Sequence, residues 1–413
     1  MPSSLRSARA AVFTAFFACG LAMGIWLVSI PAVQAATGVS HAVLGGLLLL
    51  LGLGGVIGMQ VSGALSQRIG SKPVTIVFLV LLALAVNLPL HVGGPVMLGA
   101  ALLVFGCMNG AVDVAMNDQA VLVERAYGRP IMSAFHALWS VGGAVGALLG
   151  AAVQRAQLPL SLAALVGTVV VLACAALAAR PLMGRVPIEP PTAADATAPA
   201  GSSGRLSPAT RRRVIGFGAL AFLLMLAEGV ANDWAALHAV EKLESPASTA
   251  ALAYAVFAVS MTVGRLTVDR VAGRFGPAFV VRYGSVLAAA GLLVVMLSPV
   301  FVLTAAGWCL FGLGLAGVVP QLFTAAGGVD PARQSIIMSR VVGAGYVGQL
   351  AGPALVGAAA GLVGLNLAFV LPFLFCLLGV VIARIVTPER QSAPDATASG
   401  ARAPGAGASS EVR

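Results

Sequence analysis

The chain alternates between long apolar runs and short polar breaks. The runs cover residues 10–33, 42–66, 73–92, 95–122, 130–153 and 159–179. A second set covers 213–238, 248–267, 277–297, 300–326, 335–361 and 363–386. Each run is long enough for a helix that crosses ~30 Å of hydrocarbon, which takes about 20 residues. The pattern therefore predicts an all-α membrane protein with twelve transmembrane helices. Prolines within or at the ends of the runs (Pro31, Pro320, Pro353, Pro372) would break soluble helices. Membrane helices tolerate them, because neighbouring helices satisfy the freed backbone groups.

Two stretches fall outside this pattern. Residues 184–212 are rich in Pro, Ala, Ser and Thr and end on basic residues, as expected of a linker. Residues 388–413 have the composition of a disordered tail. The expected organisation is a six-helix half (1–183), a cytoplasmic linker (184–212), a second six-helix half (213–387) and a cytoplasmic tail (388–413).

Composition agrees with the pattern. Of the 413 residues, 59% are hydrophobic and only 9% charged. Soluble domains carry roughly 25% charged residues, so most of this surface must face lipid. The net charge of +10 does not signal nucleic acid, because the basic residues are dispersed along the chain. They fall in alternate breaks: with both termini cytoplasmic, 22 of the 24 lie on the cytoplasmic side, leaving Arg155 and Lys242 opposite. Such asymmetry fixes orientation and requires an even number of spans. Arg6 and Arg9, with Ala35 and Ala36 beyond the first run, loosely mimic a signal peptide. The run is too long for a signal core, so an uncleaved first helix is expected.

The five cysteines each lie in an apolar run and form no C-x-x-C pair, so they read as packing residues. No G-x-x-x-x-G-K-[ST] phosphate loop appears, which leaves ATP without a binding motif. No H-E-x-x-H or Cys/His cluster suggests a metal, and nothing suggests another cofactor or enzymatic chemistry.

The halves repeat. At an offset of 206, Gly58, Arg68, Ile69 and Gly70 match Gly264, Arg274, Phe275 and Gly276. Phe105-Gly106 matches Phe311-Gly312, and Ile131-Met132-Ser133 matches Ile337-Met338-Ser339. At an offset of 208, Trp26 matches Trp234. Six spans per half, starting on the same side, make the repeats parallel.

Certain stretches carry a family resemblance. Gly63 to Lys72 reads G-A-L-S-Q-R-I-G-S-K, which resembles the major facilitator loop signature G-x-L-x-D-R-x-G-x-K. Its acidic position is Gln67, which puts the usual charge relay of that loop in doubt. The second copy, Gly264 to Gly276, keeps Asp269 and Arg270. N-G-A-V-D-V-A-M-N-D-Q-A (109–120), E-R-A-Y-G-R-P-I-M-S-A-F-H (124–136) and A-E-G-V-A-N-D-W (227–234) look like the MosC/YbjJ-like branch of that superfamily. The resemblance covers the whole membrane region. It implies a secondary transporter working by alternating access, a monomer in the bacterial inner membrane. It further implies a small polar solute, including the inositol-amine type, and a central cavity lined by spans 1, 4, 7 and 10.

Intramembrane charges cost roughly 2.5–3.5 kcal/mol each on insertion scales and need a reason. Asn109, Asp113 and Asn117 share one face of span 4. Asp113 and His136 lie at similar depth on adjacent helices, where such a pair could carry a proton. Glu228 sits mid-span, with Asn232 one turn on. The family resemblance puts both beside the solute, with Glu228 able to take the solute or a proton. Trp26 and Trp234, in matching places, could stack on a sugar-like ring, and Gln321, Tyr346 and Gln349 are further cavity candidates. Every one of these could instead serve as interhelical packing glue. Gly63, Arg68, Gly70, Asp269, Arg270 and Arg274 would stabilise one state of a cytoplasmic gate. The expected partners are a polar solute, protons and the bilayer, with no nucleic acid. Drug or metabolite efflux is the alternative within transport, and a non-transporting membrane sensor the alternative outside it.

Overall fold

The computed structural model describes residues 3–39, 41–184, 206–245 and 247–387, and among these there is no strand. Twelve helices are long and apolar enough to cross a membrane. Spans 1–6 are Ser4–Ile30, Gly46–Ile69, Ser71–Leu90, Pro95–Tyr127, Met132–Gln154 and Ser161–Ala179. Spans 7–12 are Leu252–Phe275 as span 8, preceded by Pro208–Leu243, and followed by Pro277–Leu297, Phe301–Val329, Pro331–Val363 and Leu365–Val386. All twelve apolar runs are therefore helices. The expected tail, and the linker from 185 to 205, lie outside the described residues.

Several helices outrun their apolar stretches. The helix of span 7 is 36 residues long, about 54 Å at 1.5 Å per residue, so its ends must leave the hydrocarbon. It starts at Pro208, with the Ser207 hydroxyl accepting from the Thr210 N–H at 3.1 Å. Hydrophobicity marks where lipid ends, while a cap marks where the helix ends. Span 10 is interrupted, running Phe301–Leu315 and then Val318–Val329.

The repeat is visible in the packing. Span 1 pairs with span 5 and span 2 with span 4; span 7 pairs with span 11 and span 8 with span 10. Small residues permit the close approach that drives association in lipid, where no hydrophobic force acts between helices. A Cβ on Gly58 would strike the Cys107 carbonyl, and one on Gly348 the Phe222 carbonyl. Gly70 and Gly276, matched by sequence, adopt the same left-handed turn, with φ of 88° and 85°. That region favours glycine, which explains the repeated residue. Exposed Leu148, Leu177, Val302 and Val381 point outward from the bundle, as lipid contact requires.

The halves meet mainly through spans 2 and 11 and spans 5 and 8, with span 4 also reaching spans 10 and 11. The hydrogen bonds between halves cluster toward one end, where Arg68, Arg125, Arg274 and Arg333 lie. This is called the arginine-rich end below.

Candidate functional site

Asp113 is buried on span 4, with Asn109 and Asn117 one turn to either side. The Asn117 amide donates to the Asp113 backbone carbonyl at 2.9 Å and to its Oδ1 at 3.3 Å. The Cys19 thiol of span 1 donates to Asn109 Oδ1 at 3.4 Å. Tyr346 of span 11 lies beside Asp113, so the cluster reaches across both halves. Asp113 Oδ2 and Asn117 Oδ1 are buried without a hydrogen-bond partner.

Glu228 of span 7 faces Arg265 of span 8, with Oε1 and Nη2 3.5 Å apart. The other guanidinium arm donates to Ser140 Oγ of span 5 at 2.9 Å. Arg265, one of the 22 basic residues counted on the cytoplasmic side, lies within a helix and not in a loop. It is only 8% exposed and lies ten residues before Phe275, about 15 Å inside the helix end. Counting basic residues misassigned it, because it opens the second loop-signature copy and looks contiguous with Arg270 and Arg274. The usable signal was its spacing from Asp269: one turn earlier on a helix still apolar around it. Its Nε is buried without a partner.

His136 and Asp113 are not hydrogen-bonded among the described residues. His136 lies 5.1 Å from the Phe16 ring and 5.8 Å from the Phe323 ring, and its buried Nε2 has no partner. Arg265 is its charged neighbour. Gln321, two residues before Phe323 on span 10, is buried with an unpartnered Nε2. Trp26 is fully buried, edge-on to Phe105 at 6.3 Å. Trp234 is half-buried beside Gly357, and Asn232 is exposed one turn beyond Glu228. The two tryptophans thus hold matching positions with different surroundings.

The arginine-rich end is closed by polar contacts between the halves. Span 5 begins at Met132, and its first N–H groups have no partner within the helix. Glu124 of span 4 accepts from the Ile131 and Met132 N–H groups, both at 2.7 Å. Asp269 of span 8 accepts from those of Ser133 and Ala134 at 3.1 and 2.8 Å. Two carboxylates, one from each half, therefore cap a single helix start, where the helix dipole also favours negative charge. Glu124 Oε1 also accepts from Thr324 of span 10 at 2.6 Å. At span 11, Asp118 accepts from Gln334 Nε2 at 3.1 Å and from the Ser335 hydroxyl. Gln67 donates through its amide to the Ala332 carbonyl, and Gln60 to the Ser339 carbonyl at 3.0 Å. The Arg125 guanidinium donates to the Gly327 carbonyl. Gly63 packs directly against Ser339. Arg68, Arg270 and Arg274 are exposed at this end, Arg274 lying 5.3 Å over the Phe275 ring.

Among the described residues no group of three His, Cys, Asp or Glu side chains could hold a metal ion. The family model described as Major Facilitator Superfamily matches residues 12–277 and again 217–410. An uncharacterised transporter of the major facilitator type from Yersinia pestis is 37% identical over 374 residues, covering 90% of this chain and 94% of that protein. The membrane protein MosC of Rhizobium meliloti is 29% identical over 374 residues, covering 90% and 88%. Among solved structures, the E. coli fucose:proton symporter superposes with a TM-score of 0.75 at 16% identity, covering 92% of this chain and 98% of its own. The human organic anion transporter MFSD10 gives 0.75 at 18%, covering 93% and 100%.

Proposed function

Because this chain belongs to the Major Facilitator Superfamily and resembles MosC along nine tenths of its length, we propose that it moves a small polar solute across the bacterial inner membrane by proton-coupled alternating access. The observation that carries the reading is a set of buried polar atoms without partners. Asp113 Oδ2, Asn117 Oδ1 and His136 Nε2 come from one half; Arg265 Nε and Gln321 Nε2 come from the other. Buried polar groups are almost always satisfied, and each orphan costs about 1–3 kcal/mol. All five lie on spans 4, 5, 8 and 10, which pack against one another across the halves, as expected of a site completed by a polar solute and water. Asn109, Asn232, Trp26 and Trp234 would complete its walls.

Asp113, His136 and Glu228 are the proton carriers in this reading. Two carboxylates stand against one guanidinium, so the centre lacks one positive charge in a medium where net charge is costly. A proton, or a cationic solute group, supplies it. Protonating Glu228 also releases Arg265, which links spans 5, 7 and 8.

The positive-inside rule makes the arginine-rich end cytoplasmic, with both termini on that side. The contacts there then hold an outward-facing state, with the central site reached from the periplasm. Rocking to the inward-facing state must strip Asp269 from span 5, Asp118 from span 11 and Ser140 from Arg265. The chain would work as a monomer, each half being one rocking body.

The test is binding to the purified protein by thermal shift, with sugars, cyclitols, amino sugars and hydrophobic cations, followed by proteoliposome uptake under an imposed pH gradient. A polar hit that is lost in Glu228→Gln and accumulates only with an inward proton gradient supports the proposal. A response confined to hydrophobic cations, with counterflow of protons, replaces it by efflux. Binding without flux would mark a sensor.

A further inference from the structure

The geometry points to a second ligand site, for a small phosphate- or carboxylate-bearing anion, in the cavity at the closed arginine-rich end, where occupancy would hold the gate shut. This site is separate from the central one and does not depend on which solute is carried.

The cavity measures about 520 Å³, a size that accommodates a small organic molecule. Its walls come from both halves. Ser66, Gln67 and Ser71 contribute from spans 2 and 3, Asp118 and Arg125 from span 4, and Ala332, Gln334 and Ser335 from span 11. It therefore exists only while the two halves meet at this end.

Ser66, Ser71 and Arg125 bring donor groups to its lining. Span 3 starts at Ser71 after Gly70, with no side chain capping it, and both residues line the cavity. A 15-residue helix places partial positive charge there. Ser66 provides an independent sign: it is 4% exposed, lines the cavity, and its Oγ has no hydrogen-bond partner. The Ser71 hydroxyl accepts from Gln119 Nε2 at 2.9 Å, which leaves its proton to donate. Arg125 adds a full cation, one arm of which already donates to the Gly327 carbonyl. Asp118 is the one carboxylate in the lining, and both its oxygens are already engaged by Gln334 and Ser335.

The wall is also rigid. Gln119 bonds Ser71, donates to the Met183 carbonyl at 2.9 Å and accepts from the Met183 N–H at 2.9 Å. One buried amide thus fixes the start of span 3 against the end of span 6. The donors keep their positions without a ligand, so little ordering cost opposes binding.

An anion bridging spans 2 and 3 to span 11 would bind the closed state only. Differential affinity of that kind shifts a conformational equilibrium toward the bound state. Accumulated cytoplasmic anion would then slow the return to the inward-facing state.

The probe is inorganic phosphate, titrated against the purified full chain at constant ionic strength with chloride as the balancing ion, read as the thermal midpoint. A saturable rise is expected. Its apparent Kd should weaken at least tenfold in Ser66→Leu, which fills the cavity, and in Arg125→Gln, but hold within threefold in Arg125→Lys. Oxidised Gln67→Cys/Ala332→Cys, which ties the gate shut, should retain the response. A non-saturating rise, or equal affinity in all variants, overturns the proposal. Repeating the titration in nanodiscs separates the sources: unchanged affinity with anionic lipid assigns a soluble anion, and competition by anionic lipid assigns a headgroup.

Discussion

Asp269 of span 8 accepts hydrogen bonds from the backbone N–H groups of Ser133 and Ala134, so one half of the protein caps the first turn of a helix in the other. In the proposed cycle this contact breaks when the arginine-rich end opens. An N-cap carboxylate contributes about 0.5–2 kcal/mol. Asp269→Ala should therefore shift the closed-to-open ratio at this end by roughly 2–30-fold toward open. Labelling of a cysteine placed at Ser339 should speed up by that factor. Unchanged labelling would show that Glu124 alone secures the cap.

The two copies of the loop signature were legible as sequence, and so was their inequality. At the offset of 206 Asp269 falls opposite Gly63, so the first half has no carboxylate there, and the nearby Gln67 amide donates to a carbonyl where Asp269 accepts from N–H groups. Span 11 meets the carboxylate of Asp118 as well as the amides of Gln60 and Gln67. The twelve spans were legible because lipid tolerates so few polar side chains that composition alone marks them. Their true ends were not, since caps such as Ser207 lie outside the apolar run. Arg265 escaped notice because a basic residue next to a loop motif satisfies the inside rule without being in the loop. Its partner Glu228 could be singled out, but which helix answered it depends on packing that periodicity does not contain.

Glu228 and Arg265 form an ion pair inside the membrane. Removing one partner from a buried pair leaves an uncompensated charge, at about 3–5 kcal/mol. Glu228→Gln should lower the melting temperature more than the double variant Glu228→Gln/Arg265→Gln does. Both should lose transport. If the single variants and the double variant are equally stable, the pair is solvated from the central cavity, and its charges carry no structural cost.

Gly63 lies against Ser339 and the Ser335 carbonyl where spans 2 and 11 touch. A side chain there has no room unless the two halves separate. Gly63→Leu should trap the protein open at the arginine-rich end, with normal expression and membrane insertion but no net transport. Cysteine labelling at Gln67 should become fast and insensitive to solute. Retained transport would mean that span 2 can move aside while the gate still closes.

Asp113 is a buried acid held by Asn117, with Tyr346 of the other half beside it. If it takes the coupling proton, Asp113→Asn mimics the protonated state permanently. Solute exchange across proteoliposomes should continue, because the asparagine still offers a polar partner. Accumulation driven by a pH gradient should fall to the equilibrium level. His136→Gln separates the remaining possibility, since no hydrogen bond joins His136 to Asp113. Coupling retained in His136→Gln and lost in Asp113→Asn makes the carboxylate the proton site and leaves the imidazole to pack between Phe16 and Phe323. Coupling lost in both makes His136 a relay across the gap. Coupling intact in both moves the proton to Glu228, the other carboxylate facing the centre.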